Sequence, residues 1–168
     1  MRIRPALQSD AEQLSHINAT ISQGGVINFA SPEFSDSEKL LRELTFLDHL
    51  LVLESETEAG RVCGAVLLRV NPQIYLRRTA ELRIIVAPEW QGQGLGKLLM
   101  KTALELADNE LLLERVEVEI PTDNVNALKL CKSTGFKVEG IAKDWLSPAE
   151  GRYIDAYLLA HCKNVRQG

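Results

Sequence analysis

No apolar run in this 168-residue chain approaches the length that spans a bilayer. Met1 leads straight into Arg2-Ile3-Arg4-Pro5 rather than into an apolar leader. A cytoplasmic protein with no membrane partner is therefore expected. Cysteine is scarce, and Cys63, Cys131 and Cys162 stand far apart, which suggests neither a disulfide framework nor a zinc site. His16, His49 and His161 are scattered, with no carboxylate or cysteine at ligand spacing. No metal is expected, and these histidines are read as structural or surface residues. Positive charge is in the minority, the net charge being −4, and no basic arm or basic-aromatic cluster offsets it. A nucleic-acid partner is thereby disfavoured. Internal repeats, low-complexity tracts and linkers are absent. What is present, 45% hydrophobic and 25% charged residues, fits a single soluble domain over 1–168, large enough to bury a core without staples.

Hydrophobic spacing lays out the elements. A short strand at Arg2–Arg4 precedes Ser9-Asp10-Ala11-Glu12, read as a capping box, and Ala11, Leu14, Ile17 and Ile21 then line one helix face. Gln23-Gly24-Gly25 ends that helix, and a loop with Asn28, Phe29 and Pro32 follows. A second box, Ser35-Asp36-Ser37-Glu38, opens a helix carrying Leu40, Leu41, Leu44 and Leu47. Leu50–Leu53 reads as a buried strand, with Val62–Val70 as its hairpin partner across Thr57–Gly60. Asn71–Arg77 connects to the strand Ala80–Val86. Leu95, Leu98, Leu99, Ala103 and Leu106 recur at helical spacing. Arg115–Ile120 alternates, with Val116, Val118 and Ile120 on one side and Glu117 and Glu119 on the other. Thr122-Asp123-Asn124 caps a helix that reaches about Lys132 and ends at Gly135. Phe136–Ala142 and Tyr153–Ala160 are the last strands, joined by a loop with Ser147-Pro148 and Gly151. The order β-α-α-β-β-β-α-β-α-β-β predicts an α/β fold, a mixed sheet with helices on both faces.

The most informative stretch is Val86-Ala87-Pro88-Glu89-Trp90-Gln91-Gly92-Gln93-Gly94-Leu95-Gly96-Lys97. Glycines at alternate positions let the backbone pass close to a ligand and turn its amides toward one point. The helix starting near Leu95 adds free N–H groups and the positive end of its dipole. Lys97 places a full positive charge in the first turn, where it is otherwise unfavourable. That combination suits a pyrophosphate. A P-loop is excluded because Leu98 follows Gly96-Lys97 where serine or threonine is required. The dinucleotide fingerprint fails as well: Lys97 or Leu98 stands where its third glycine belongs, and several strands precede the loop. A glycine-rich turn with no ligand remains the alternative, although a two-residue turn would serve structure alone.

Gln91-x-x-Gly94-x-Gly96 after a strand resembles the acetyl-CoA signature of the GNAT acetyltransferases. Asn124-Val125-Asn126-Ala127-Leu128-Lys129-Leu130-Cys131-Lys132-Ser133-Thr134-Gly135-Phe136 resembles that family's second signature, Asn-x-x-Ala-x-x-x-Tyr-x-x-x-Gly-Phe. The ending Gly151-Arg152-Tyr153-Ile154-Asp155-Ala156-Tyr157 is similar to the branch acting on free amino acids and phosphinothricin-type herbicides. A Tyr-x-Asp-x-Tyr strand also occurs in ribosomal-protein and polyamine acetyltransferases. The likeness covers nearly the whole chain and is most specific from Ala80 to Phe136. It implies the GNAT fold, a mixed, mostly antiparallel sheet of about seven strands with helices on both faces. It further implies acetyl-CoA as co-substrate and direct attack by a primary amine in a ternary complex. The acceptor is expected to be a small amino acid or analogue. A protein N-terminus or ribosomal protein is the alternative, as is a CoA-binding module without catalysis. A homodimer is implied by the family alone.

The resemblance also implies roles. The strand before the glycine loop splays from its neighbour, so that the backbones of Ile84, Ile85 and Val86 take the pantetheine arm and the acetyl oxygen. Taken alone, these residues suit an ordinary core strand equally well. Gln91, Gly92, Gln93, Gly94, Leu95, Gly96 and Lys97 hold the pyrophosphate, and Asn124, which can also cap its helix, reaches the cofactor's far arm. Glu81 is the candidate base, on one strand face with Arg83 and Ile85. An ordinary carboxylate titrates near ~4 and is a poor direct base for an amine, so a water relay or a raised pKa is required. The alternative for Glu81 is an ion pair with Arg83 or across the strand. Cys131 stands where the family has a tyrosine, beside the cofactor and taken to protonate the CoA thiolate. A thiol titrating near ~8.5 matches that leaving group. The alternative for Cys131 is a small buried hydrophobe, which leaves Tyr153, Tyr157 or water as the acid. The acceptor pocket is expected between the Gln23–Ser35 loop and the hairpin Lys143–Tyr157, with Asn28, Phe29, Glu81 and Tyr153 on its walls. Trp90 and Trp145 either flank a ligand or pack.

Overall fold

The computed structural model describes residues 1–23, 31–76 and 78–163. In chain order the elements are β1 (Arg2–Pro5), α1 (Ala11–Gln23), α2 (Ser37–Glu43), β2 (Asp48–Glu54), β3 (Val62–Val70), β4 (Thr79–Val86), α3 (Leu95–Glu105), β5 (Arg115–Pro121), α4 (Val125–Ser133), β6 (Lys137–Ala149) and β7 (Arg152–Cys162). The strands form one seven-stranded sheet in the order β1-β2-β3-β4-β5-β7-β6. Pairing is parallel between β4 and β5 and antiparallel elsewhere. The expected mixed, mostly antiparallel sheet is what forms. Among the described residues, no helix is long and apolar enough to cross a membrane.

Strand alternation sorts the side chains onto two faces. On one face Leu14, Ile17 and Ile21 of α1 and Leu40 of α2 pack with Phe34 onto Leu50, Val52, Leu67 and Ile85. On the other, Leu99, Met100, Ala103 and Leu104 of α3 pack with Cys131 of α4 onto Leu68, Leu82, Val116 and Val118. Each fully buried leucine contributes roughly 1.5–3 kcal/mol. The sheet is thus held by two cores, with helices on both faces. α1 and α2 cover β2 to β4, and this leaves Glu117 and Glu119 of β5 on a face that no helix of the described residues covers.

Several helix ends differ from the sequence expectation. Asp10, not Ser9, organises the start of α1: its carboxylate accepts from the Leu7 N–H at 2.7 Å and from both Arg4 Nη atoms at 2.8 and 2.9 Å. Burial alone would raise the Asp10 carboxyl, but these bonds outweigh it and hold it below the usual carboxylate range. At α2 the cap is Asp36, which accepts from the Lys39 N–H at 3.0 Å, while Ser35 is turned away to donate to Pro32 O. α2 also stops at Glu43. Leu44 adopts an extended ψ of 132°, and the Asp48 carboxylate accepts from Thr45 N and Oγ1, each at 2.9 Å. Leu44 and Leu47 therefore pack from a turn and not from a helix. β6 runs on through the expected Ser147-Pro148 loop. It is an edge strand, where a missing proline donor is tolerated, and its register on β7 shifts between Leu146 and Ala149, around Pro148.

Gly64 sets how closely β3, β4 and α3 approach. A Cβ built there would lie 2.7 Å from Ile85 O and 3.2 Å from Leu99 Cδ1. Gly64→Ala is expected to destabilise the fold by about 1–3 kcal/mol through overpacking. The measurement is urea unfolding, and an unchanged midpoint would mean that β3 can withdraw from β4 without cost.

Candidate active site

The site starts from a fork in the sheet. β4 stays in register with β3 from Ala80 to Val86, but it pairs with β5 only over Thr79, Ala80 and Glu81. β5 meanwhile follows β7 as far as Pro121. Beyond Glu81 the β5 side of β4 has no ladder partner among the described residues, the splay that the family likeness implied.

At the end of β4 the Gln91 amide donates to Val86 O at 2.9 Å and ties the glycine loop back onto the strand. Gly92 and Gly94 have φ of 73° and 81°, and a Cβ built on either would meet nothing within 4 Å. Here glycine is required by the backbone and leaves open space beside it. Gly94 is also the N-cap of α3, so no side chain caps that helix, and no acidic residue occupies its first turn. α4 contrasts with it, because the Asn124 side chain accepts from Ala127 N–H at 3.1 Å. The α3 terminus thus keeps amides and dipole free for an anion, with Lys97 beside them. Gly96 also has a packing role: a Cβ there would sit 3.2 Å from Leu130 Cδ2, so its smallness lets α3 lie against α4.

A groove of about 420 Å³ follows this surface, lined by Ile84, Ile85, Val86, Gln91, Gly92, Gly94, Gly96, Lys97 and Asn124. Ile21, Asn126, Ala127 and Leu130 complete it. Asn124, Ala127 and Leu130 recur every three residues, a signal that was present in the sequence; Ile21 carried none. Gln93 and Leu95 do not line the groove. The Gln93 amide donates to Glu89 O at 3.2 Å, and Leu95 packs on the core.

Beside the fork lies a second cavity of about 250 Å³. Glu81, Glu117, Glu119 and Glu139 line it with Arg83, Arg115 and Trp145. Arg115 donates to Glu117 at 2.5 Å and to both oxygens of Glu139, which holds the Glu139 carboxyl below its ordinary range. Arg83 pairs with Glu81 at 3.4 Å, Glu33 at 3.3 Å and Glu119 at 3.6 Å. The Glu81–Arg83 ion pair weighed from sequence is therefore present. Trp145 donates from Nε1 to Glu119 at 3.2 Å, so it walls this cavity. Trp90 instead packs between the two cores.

The remaining candidates fall elsewhere. Cys131 is 1% exposed and belongs to the α3–α4 core. Burial pushes its thiol up to about 12, and it does not line the groove. These facts favour the small-hydrophobe alternative. Tyr153 is exposed and lines neither cavity, whereas Tyr157 is partly buried against the core on which Ile84, Val86 and Leu130 also pack. Asn28 and Phe29 lie outside the described residues.

Comparison with known proteins agrees with this geometry. A model of the Acetyltransferase (GNAT) family matches residues 23–136. The L-amino acid N-acetyltransferase AaaT of Escherichia coli (strain K12) is 33% identical over 104 residues, 62% of this chain and 64% of that protein. A spermidine N(1)-acetyltransferase of Vibrio cholerae is 33% identical over 90 residues, 53% of this chain and 49% of that protein. The chain thus spans from about half to just under two thirds of these relatives' lengths. Among solved structures, yncA of Salmonella typhimurium with its cofactor acetyl-CoA superposes with TM-score 0.82 at 22% identity, covering 100% of this chain and 96% of that one. An acetyltransferase of the GNAT family from Streptococcus pneumoniae gives 0.81 at 24% identity, covering 96% and 99%. With one family matched from the last residue of α1 to Phe136, and its fold repeated over whole chains, this protein belongs to the acetyltransferase (GNAT) family.

Proposed function

We propose that this chain is an acetyl-CoA-dependent N-acetyltransferase for a small primary amine, which attacks the thioester directly in a ternary complex. The observation that carries this reading is the use of β4 on both faces of the fork. Ile84 lines the groove, and its neighbour Arg83 lines the carboxylate cavity. One strand thus borders a donor site and an acceptor site one residue apart. The open amides around Gly92 and Gly94, the uncapped α3 terminus and Lys97 fit a pyrophosphate. The groove walls from Ile84 to Leu130 fit the mixed apolar and amide character of a pantetheine. When bound, acetyl-CoA supplies an acyl thioester.

The chain's own residues do the rest. Gln91, Gly92, Gly94 and Lys97 bind phosphate, the backbone of Ile84, Ile85 and Val86 orients the pantetheine, and Asn124 and its helix close the far side. An amine attacks only when neutral, and Glu81 takes its proton through water. The leaving thiolate needs a proton in turn. Burial pushes the Cys131 thiol up to about 12, so donation from it to a thiolate of ordinary basicity would run uphill. Tyr157 or water is the better donor.

A cavity of about 250 Å³ suits a small molecule rather than a peptide. The relative named for L-amino acids supports an amino acid or analogue as acceptor. A second reading rests on charge: four carboxylates face two guanidinium groups in the cavity, which favours an amine with a further positive charge, as in the relative named for spermidine. CoA release measured across amino acids, di- and polyamines and N-terminal peptides tests the proposal and separates the readings. No release with any amine would leave a CoA-binding module.

Gly94→Asp would add a side chain and a negative charge at a positive-φ position facing the groove. A loss of CoA affinity of at least about tenfold, ~1.4 kcal/mol, is expected by calorimetry, and unchanged affinity in a folded variant would remove the cofactor assignment.

Glu81→Gln keeps the shape and removes the base. It is expected to lower kcat about 10²–10⁴-fold at neutral pH. The gap should close as pH rises toward the amine's own pKa, and wild-type activity at every pH would make Glu81 purely structural.

Cys131→Ala should cost about 1 kcal/mol of stability and change kcat by less than about threefold. Chemical unfolding and steady-state kinetics read the two effects, and a loss of 10²-fold or more in a stable, CoA-binding variant would make the thiol the acid after all.

A further inference from the structure

Glu81 stands on the rim of the acceptor cavity with its side chain 55% exposed, and its one recorded partner among the described residues is Arg83 Nη2. An exposed glutamate on a strand has several rotamers open to it, and most of them turn the carboxylate away from any one point. Something must select the useful one.

Arg83 is built to do so. Its side chain is only 16% exposed, and it is gripped by carboxylates from three elements. Nε faces Glu33, in the turn Pro32–Phe34 between α1 and α2, at 3.3 Å. Nη2 faces Glu81 on its own strand at 3.4 Å and Glu119 on β5 at 3.6 Å. The two outer carboxylates are themselves held. Ser31 Oγ donates to Glu33, and although burial alone would raise the Glu33 carboxyl, the Ser31 bond, a backbone N–H and the Arg83 charge together keep it below its ordinary range. Glu119 accepts from Trp145 Nε1 on β6. One planar guanidinium therefore ties together the α1–α2 turn, β4 and β5, and through Glu119 it is linked to Trp145 of β6. Lysine offers a point charge on a flexible stem and could not serve three partners in fixed directions.

We propose that Arg83 is a positioning residue that orients Glu81 toward the acceptor amine. Its guanidinium is fixed from outside by Glu33 and Glu119, and it passes that fixation to the otherwise mobile Glu81 carboxylate. The inference rests on the reading of Glu81 as the base, and it assigns Arg83 no contact with either substrate.

The test compares Arg83→Lys and Arg83→Met with wild type, each also made in a Glu81→Gln background. Arg83→Lys keeps the charge among three carboxylates, so it remains informative if Arg83→Met fails to fold. The expected result is a 10- to 100-fold fall in kcat, the scale on which small misplacements act, with the KM for acetyl-CoA within about twofold and the unfolding midpoint of Arg83→Lys near wild type. In the Glu81→Gln background either Arg83 change should cost nothing further, because a residue that acts through another has no effect once that other is gone. Wild-type kcat in folded Arg83→Lys overturns the proposal. An equal loss with and without Glu81 overturns it too, since Arg83 would then act on its own. Full activity in Glu81→Gln alone removes the base reading instead, which separates the two failures.

Discussion

A strand that leaves its ladder must find other partners for its N–H and C=O groups, and β4 leaves β5 after Glu81 while staying on β3 to Val86. Each bond not made forgoes a net 0.5–1.5 kcal/mol or so. The fork persists because β4 is anchored independently of β5. Leu82 is buried in one core and Ile85 in the other, and Gly64 lets β3 press close against it. The groove, the direction from which α3 presents its first turn and the cavity beside Glu81 all follow from this single gap. Were the two strands paired to their ends, the sheet would be continuous and neither pocket would border the other.

Charge is then distributed to match. The first turn of α3 carries Lys97 and no acid, which works against the helix dipole by about 0.3–1 kcal/mol. Burial of Leu99, Met100, Ala103 and Leu104 on the same helix outweighs that cost several times over. Stability comes from the packed face, and the exposed end is left electrostatically unsatisfied, as an anion site requires. Across the sheet the sign reverses. Carboxylates outnumber guanidinium groups around the second cavity, on the part of the sheet that α1 and α2 do not cover. A donor rich in phosphate and a cationic acceptor would each be drawn to its own face.

Much of this was legible before any coordinates. Apolar spacing located the four α-helices and most of the seven strands of the described residues, because a period of 3.6 or 2 is a direct consequence of burying one face. Helix ends were less legible. Ser9 and Asp10 both suit a cap, and what decides between them is Arg4, which is brought alongside only by the β1–β2 pairing. Pro148 read as a loop because its missing donor forbids a central strand, and nothing local shows that β6 is an edge. The groove lay largely in one contiguous motif and its spacing was readable. The acidic cavity was not, since Glu81 and Arg83 of β4, Arg115, Glu117 and Glu119 of β5, and Glu139 and Trp145 of β6 come from three separate strands and meet only through the topology.

Cys131 shows the same limit within one helix. Seven residues after Asn124 it falls at nearly the same helical angle, so periodicity alone turns it toward the groove. Periodicity gives the angle but not the depth. About 10 Å further along α4, the side chain at that angle meets the α3–α4 core instead, and the groove ends at Ala127 and Leu130. A tyrosine there would have the length to reach back with its hydroxyl, whereas a thiol stops in the core, desolvated and far from a useful pKa. On the proposed reading, cysteine in place of the family's tyrosine moves the proton source off α4. On this reading the acid must approach from the β7 side, where Tyr157 packs on the core shared with Ile84, or from solvent through the open groove.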